Sequence, residues 1–276
     1  MKIEYFASPE IKPLAQHSHT LGWYSEEDWE CFLRTGVVFG HRLQSNEIVS
    51  SAYLSNFEDR IGWLGAVIVN SRFQGKKLGR DLIQKAISIA PDNDFVLALI
   101  ATERGKKMYE QAGFVEVGNT HKFVANVPQC AAADDAVRNL ETKDFDRVLA
   151  LDKQAIGYSR AKLLRQRLSK ATSAFVFEST GGEVTGFVVV SRDGERNSLG
   201  PLVAPDLAVA VALVRAAVAG GGSYRLDVPH WQSELIKALG PLGFDLERIC
   251  PLMTLKGKAL PRAADTYFVI MAQALG

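Results

Sequence analysis

The sequence predicts an α/β protein made of two mixed-sheet domains in tandem. Three observations predict it. An apolar, β-rich run, Ile61–Val69, leads through a glycine-containing loop into a stretch of helical spacing. Strand-like and helix-like segments then alternate along all 276 residues, a length comfortable for two domains. The second half repeats the order of the first, and Leu239-Gly240-Pro241-Leu242-Gly243-Phe244 echoes Gln111-Ala112-Gly113-Phe114.

Residues 1–20 show little pattern beyond a strand over Lys2–Phe6. Ser25 followed by Glu26, Glu27 and Asp28 marks a helix start, and Glu26–Arg34 would bury Trp29, Phe32 and Leu33. Val37–Leu43 and Glu47–Leu54 read as a hairpin around Gln44-Ser45-Asn46. After the Asn56–Arg60 turn comes the central strand, then a helix from Gly79. That helix places Leu82, Ile83, Ala86, Ile87 and Ala90 inward and Arg80, Asp81, Gln84 and Lys85 outward. Phe95–Ala101 is a second buried strand. A short helix capped by Thr102 carries Tyr109 and stops at Gly113, where Val115–Val117 starts a strand. His121–Val127 closes the first domain, residues 1–127.

Pro128–Asp135 reads as a linker. The second domain, 136–276, has helices over Asn139–Ile156, Ala161–Leu168, Asp206–Ala219 and Gln232–Leu239. Its strands are Ser173–Glu178, Val184–Ser191, Asn197–Val203, Tyr224–Val228 and Arg248–Leu255. The last strand, Thr266–Gln273, either completes this sheet or crosses back to the first domain.

Composition narrows the class. A net charge of +1 gives no electrostatic case for nucleic acid or an anionic membrane. Cys31, Cys130 and Cys250 lack paired spacing, which points to reduced thiols and to no metal site. The start, MKIEYFASPEIKP, has no apolar core of a signal peptide. No apolar run reaches the ~20 residues of a membrane-spanning helix. The expectation is a soluble, cytoplasmic protein.

The loop after Ile61–Val69 is the chemical centre. Strand, glycine loop and helix aim backbone N–H groups at one point in front of a helix N-terminus, where phosphate binds well. Gly75 and Gly79 permit close approach, and Lys76, Lys77 and Arg80 add positive charge. An ordinary solvated connection has the same composition. Neither a P-loop nor a dinucleotide fingerprint is present.

Gln74-Gly75-Lys76-Lys77-Leu78-Gly79 nevertheless resembles the Q/R-x-x-G-x-G/A pyrophosphate motif of the GNAT superfamily of acyl-CoA-dependent N-acyltransferases, with Lys77 in place of its middle glycine. The run Ala101 to Phe114 resembles that family's second cofactor segment. The second half, through Asp152…Gly157-Tyr158-Ser159-Arg160, Gly200-Pro201-Leu202 and Leu226-Asp227-Val228-Pro229, is similar to the C-terminal domain of two-domain bacterial GNAT proteins of the YitH-like kind.

The resemblance implies tandem GNAT folds and direct transfer of acetyl from acetyl-CoA to a primary amine of a small molecule. It implies that Val67, Ile68 and Val69 pair with the pantetheine arm and that Gln74 to Arg80, Leu78 included, cradle the pyrophosphate. Lys106, with Lys107, would reach the nucleotide's 3′-phosphate, and Tyr109 would be the acid that protonates the departing thiolate. A core tyrosine is the alternative for Tyr109, and a solvated helix face for the lysines. Glu58, Asp59, Glu103 or a water are the candidates for the base, and His121 and His230 are weaker ones. Trp63, Tyr158, Arg160 and Asp227 are candidate substrate contacts; Trp63 otherwise fills the core, and Arg160 otherwise pairs with Asp227. The second half lacks the pyrophosphate motif, and Pro201 and Pro205 remove two N–H donors there, so acyl-CoA is expected only in the first half. The other reading is a non-catalytic acyl-CoA or metabolite-binding protein. A protein-acetylating enzyme would call for an acidic groove, which no acidic run suggests.

Overall fold

The computed structural model describes residues 1–19, 24–58, 60–91, 94–130, 134–261 and 265–276. Two compact units divide the chain. The first comprises Met1–Val117, Pro251–Leu260 and Ala274–Gly276; the second comprises Gly118–Cys250 and Pro261–Gln273. The bounds of the second unit begin at Gly118, ahead of the segment 128–135 expected as a linker. Phe114–Val127 is one continuous strand, and its Thr120–Val127 portion pairs antiparallel with Gly222–Pro229.

The first unit contains β1 (Ile3–Phe6), α1 (Ile11–His19), α2 (Glu26–Thr35), β2 (Gly36–Arg42), β3 (Ile48–Ser55), β4 (Ile61–Val69), α3 (Leu78–Ser88), β5 (Val96–Ile100) and α4 (Glu103–Gln111). Helix α1 falls where the sequence showed no helical pattern. Pro13 sits in its first turn, where a missing N–H costs little. Helix α2 starts on the expected cap: Ser25 Oγ accepts from Asp28 N, and the Asp28 carboxylate accepts from Ser25 N at 2.9 Å. Strands β1 to β4 form an antiparallel run, and β5 joins β4 in parallel after the α3 crossover. On its other side β5 receives Leu252–Thr254, drawn from far along the chain. Helix α3 buries Leu82, Ile83 and Ala86 in a core with Phe39, Leu97, Leu99, Phe114 and Met253.

The second unit takes β6 (Phe114–Val127) from residue 118. It adds β7 (Val137–Asn139), α5 (Phe145–Ile156), α6 (Ala161–Ser169), β8 (Ser173–Glu178), β9 (Val184–Asp193), β10 (Arg196–Val203), α7 (Leu207–Val218), β11 (Gly222–Pro229), α8 (Ser233–Leu239), β12 (Asp245–Leu255) up to residue 250, and β13 (Tyr267–Val269). The helix expected from Asn139 begins only at Phe145. Before it, Arg138 grips Asp144 with two hydrogen bonds, at 2.7 and 3.0 Å, and Asp144 caps a single turn.

The two units share one irregularity. Strands β4 and β5 pair only at Ile61–Trp63 with Val96–Ala98, and no further β4–β5 pair forms beyond that point. Strands β10 and β11 pair only at Asn197–Leu199 with Tyr224–Leu226. Each parting strand is bulged against its antiparallel neighbour. In β4 the bulge is at Ala66, which adopts φ +49; in β10 it is at Gly200, with φ +144. In the second unit β13 enters the gap. Val269 and Tyr267 pair with Leu202 and Val203, and Ile270 N donates to Asp227 O at 3.0 Å.

A buried ion pair anchors that strand. Arg160, 2 % exposed, donates to both carboxylate oxygens of Asp152 at 2.9 and 2.8 Å and to the Tyr267 hydroxyl at 2.9 Å. The same hydroxyl accepts from Met271 N at 2.8 Å. Removing one partner strands a charge in low dielectric. Asp152→Ala is therefore expected to cost about 3–5 kcal/mol of stability. Urea unfolding measures it, and a loss below about 1 kcal/mol would show that water reaches the guanidinium.

Candidate functional site

The site is built from the parting of β4 and β5. From Leu64 to Val69 one edge of β4 pairs with β3, while the edge towards β5 has left its ladder. Polar side chains of β3 hold the irregular backbone in place. Ser51 Oγ donates to Ala66 O at 3.2 Å, and Ser55 Oγ accepts from Trp63 N at 2.9 Å. Both serines are fully buried. The open edge of β4 matches an extended ligand carrying amide groups.

At the C-terminal end of that edge lies the glycine loop. Gly75 has φ +78, a conformation that a side chain would strain, and a Cβ there would meet nothing within 4 Å. Lys77 stands at the N-cap of α3 in the left-handed conformation, φ +66, and makes no side-chain cap bond. The first amides of α3 are thus left to an external acceptor. At Gly79 a Cβ would lie 2.9 Å from Met108 Sδ, so its smallness lets α3 rest on α4. Gln74 braces the loop, donating to Val69 O at 3.2 Å and accepting from Arg104 Nη2 at 2.8 Å. Lys76 lies over the Phe73 ring, and Arg80 is exposed. Backbone donors, positive charge and open space together fit a diphosphate.

Thr102 caps α4 through Gly105 N at 3.2 Å, as expected, and so sets the height of Tyr109 about two turns further on. Its ring packs edge-on to Phe114 in the core. The phenol makes no hydrogen bond with the described residues, and burial, then the nearby Tyr24 phenol, hold its pKa well above the ordinary value. It stays protonated throughout the neutral range. Lys106 is bound to Glu116 at 2.6 Å, which raises its pKa, while Lys107 is exposed. Trp63 is buried in the first unit.

The remaining candidates separate. Glu58 and Glu103 are exposed, and Asp59 lies outside the described residues. Tyr158, Arg160 and Asp227 are buried in the second unit. The pairing of Arg160 with Asp227 does not form: Asp152 takes Arg160, and Asp227 accepts from Arg225 Nη2 at 3.0 Å and Gln273 Nε2 at 2.6 Å. His121 and His230 also belong to the second unit, where His230 Nδ1 accepts from Asn119 N at 3.2 Å.

One residue escaped the sequence. His17, in the last turn of α1, is 7 % exposed and faces the backbone of Ile68 on β4. Burial lowers its pKa from 6.5 to about 4, against the raising effect of that backbone. Beside it Ser18 Oγ accepts from Trp29 Nε1 at 3.0 Å, and Tyr24 packs edge-on against Trp29 and Phe32. No local pattern in residues 8–19 announced this cluster.

Two family models match the chain, and it belongs to the GNAT superfamily of acetyltransferases. The one described as Acetyltransferase (GNAT) family matches residues 5–114, and the one described as Acetyltransferase (GNAT) domain matches residues 148–269. The chain is a GNAT-type N-acetyltransferase in tandem form, and the members of the family use acyl-CoA as co-substrate. It is 28% identical over 260 residues to YitH of Bacillus subtilis (strain 168), an uncharacterized N-acetyltransferase, covering 92% of this chain and 91% of that one. It is 28% identical over 205 residues to holothin acyltransferase of Pseudoalteromonas sp. (strain SANK 73390), covering 73% and 69%. A crystal structure of a candidate acetyltransferase from Pyrococcus horikoshii superposes with TM-score 0.84 at 19% identity, over 100% of this chain and 95% of that one. Among the described residues, no helix is long and apolar enough to cross a membrane, and no three His, Cys, Asp or Glu side chains gather as a metal site.

Neutral His17 gives a pH signature. Its folded pKa lies below the unfolded value of 6.5, so the unfolded chain takes up the proton first as pH falls. Stability is full above pH 6.5 and declines towards pH 4. Between pH 7 and 4.5 His17→Gln is expected to lose about 2–3 kcal/mol less than the natural chain. Equal losses in denaturant titrations at the two pH values would remove His17 from the account.

Proposed function

We propose that the first unit transfers acetyl from acetyl-CoA to a primary amine of a small molecule by direct attack. The observation that carries this is the open edge of β4 leading straight to the loop in front of α3. In this reading the pantetheine arm pairs with Val67, Ile68 and Val69. The pyrophosphate sits on the amides of Gly75 to Gly79 and beside Arg80, with Gln74 fixing the loop. Lys106 and Lys107 face the nucleotide end, and Lys106 would exchange Glu116 for phosphate.

The arm's direction sets the chemistry. Phosphates at the loop place the thioester near the Ala66 bulge, where a backbone N–H of β4 can polarise its carbonyl. The amine nitrogen attacks the carbonyl carbon, and the C–S bond breaks as the amide forms. The nitrogen loses one proton and the sulfur gains one. Tyr109 suits this exchange because its phenol holds a proton at neutral pH and makes no bond with the described residues. It donates that proton to the thiolate and regains one from the attacking nitrogen by way of water. An alkylammonium must also lose a proton before attack, and solvent takes it in this scheme. The relative named holothin acyltransferase carries its acceptor in its name, and that likeness is our ground for a single small compound as acceptor.

Two substitutions test the reading. Gly75→Asp puts a side chain at positive φ and a negative charge into the cradle. Acetyl-CoA affinity, measured by calorimetry, is expected to fall at least tenfold, or about 1.4 kcal/mol; unchanged affinity would move the phosphates elsewhere. Tyr109→Phe is expected to keep acetyl-CoA affinity within about threefold while kcat drops by about 10²–10⁴. Full turnover in Tyr109→Phe would assign the tyrosine to the core alone.

A further inference from the structure

The gap beside β4 is closed at its inner end. On the proposed cofactor path, on which this inference rests, the arm runs from the loop along Val69 to Val67. The acyl group then points past the Ala66 bulge towards Trp63, the last residue of β4 that pairs with β5. That apex is already filled within the first unit. A Cβ on Gly65 would lie 2.6 Å from Ala274 Cβ and 2.8 Å from Ala274 Cα. A Cβ on Gly276 would lie 2.1 Å from Cε2 of the Trp63 indole. Ala274, Leu275 and Trp63 are each at most 5 % exposed.

The same stretch of chain does something similar in the second unit. A Cβ on Gly200, at the β10 bulge, would lie 2.1 Å from Ile270 O. There β13 enters the gap; in the first unit residues 274–276 reach the apex. On the proposed path they stand, with Trp63, as a stop behind the tip of the arm.

We infer that Trp63 and Ala274–Gly276 form the closed end of the acyl pocket and restrict the enzyme to short acyl groups, of acetyl or propionyl size. Close-packed walls do not yield to added methylenes cheaply. One methylene too many in such a pocket costs roughly 10–200-fold in discrimination.

The test is calorimetric titration of the full chain with CoA, acetyl-CoA and hexanoyl-CoA, with free CoA as the reference for the arm alone. Hexanoyl-CoA is expected to bind the natural chain at least roughly tenfold more weakly than acetyl-CoA. In a chain lacking residues 274–276, and in the milder Leu275→Ala, that ratio is expected to shrink, to within about threefold in the deletion. Equal binding of both thioesters to the natural chain would overturn the inference while leaving the cofactor path intact. So would a ratio unchanged by both variants. Failure of CoA itself to bind the natural chain would overturn the cofactor path and the inference together.

Discussion

Backbone amides that leave a sheet must find partners, and this constraint organises both halves of the molecule. A parallel pair that parts after three residues abandons two rows of N–H and C=O groups. The second unit answers with its own chain: β13 pairs with β10, and Ile270 bonds to Asp227. The Arg160–Asp152–Tyr267 cluster holds that answer in place. Among the described residues, no strand pairs with the β5-facing edge of Leu64–Val69 in the first unit. One architecture thus yields a gap filled by its own strand and a gap without one.

The receptive groove is shaped mostly by neighbours. The Ala66 bulge costs strain in a non-glycine residue, and Ser51 stabilises it by satisfying the displaced carbonyl. His17, on the unit's first helix, faces the Ile68 backbone. The glycine loop owes its geometry to local sequence, with Gly75 and Lys77 both at positive φ, and Lys77 shows that the middle position of the motif tolerates a side chain in that conformation.

Local signals were legible. Ser25 and Thr102 announced their helices, Ser173–Glu178 appears at its expected bounds, and the glycine loop led directly to the family. Long-range pairing was not. Nothing within Arg248–Leu255 says that Leu252–Thr254 will pair with Ala98–Ile100 rather than stay with its sequence neighbours. The last strand, Thr266–Gln273, had two destinations open to it. It lies in the second unit, where Tyr267–Val269 pairs, and only the residues after it, Ala274–Gly276, belong to the first. Helix α1 was missed because Pro13 masks its start and its buried face includes His17 and Ser18, which no apolar periodicity marks. Arg160 and Asp227 were recognised as special, but charge alone did not tell which partner each would take.

The shared strands also bear on how such a protein can evolve. A domain that draws only on its own stretch of chain can be lost without harm to its neighbour. Here the first unit draws residues 251–260 and 274–276 from far along the chain. Cutting the chain after the first half would leave Ala98–Ile100 as a bare sheet edge, prone to pair with other molecules. Loss of the later half would thus break the first unit's sheet, whatever either half binds.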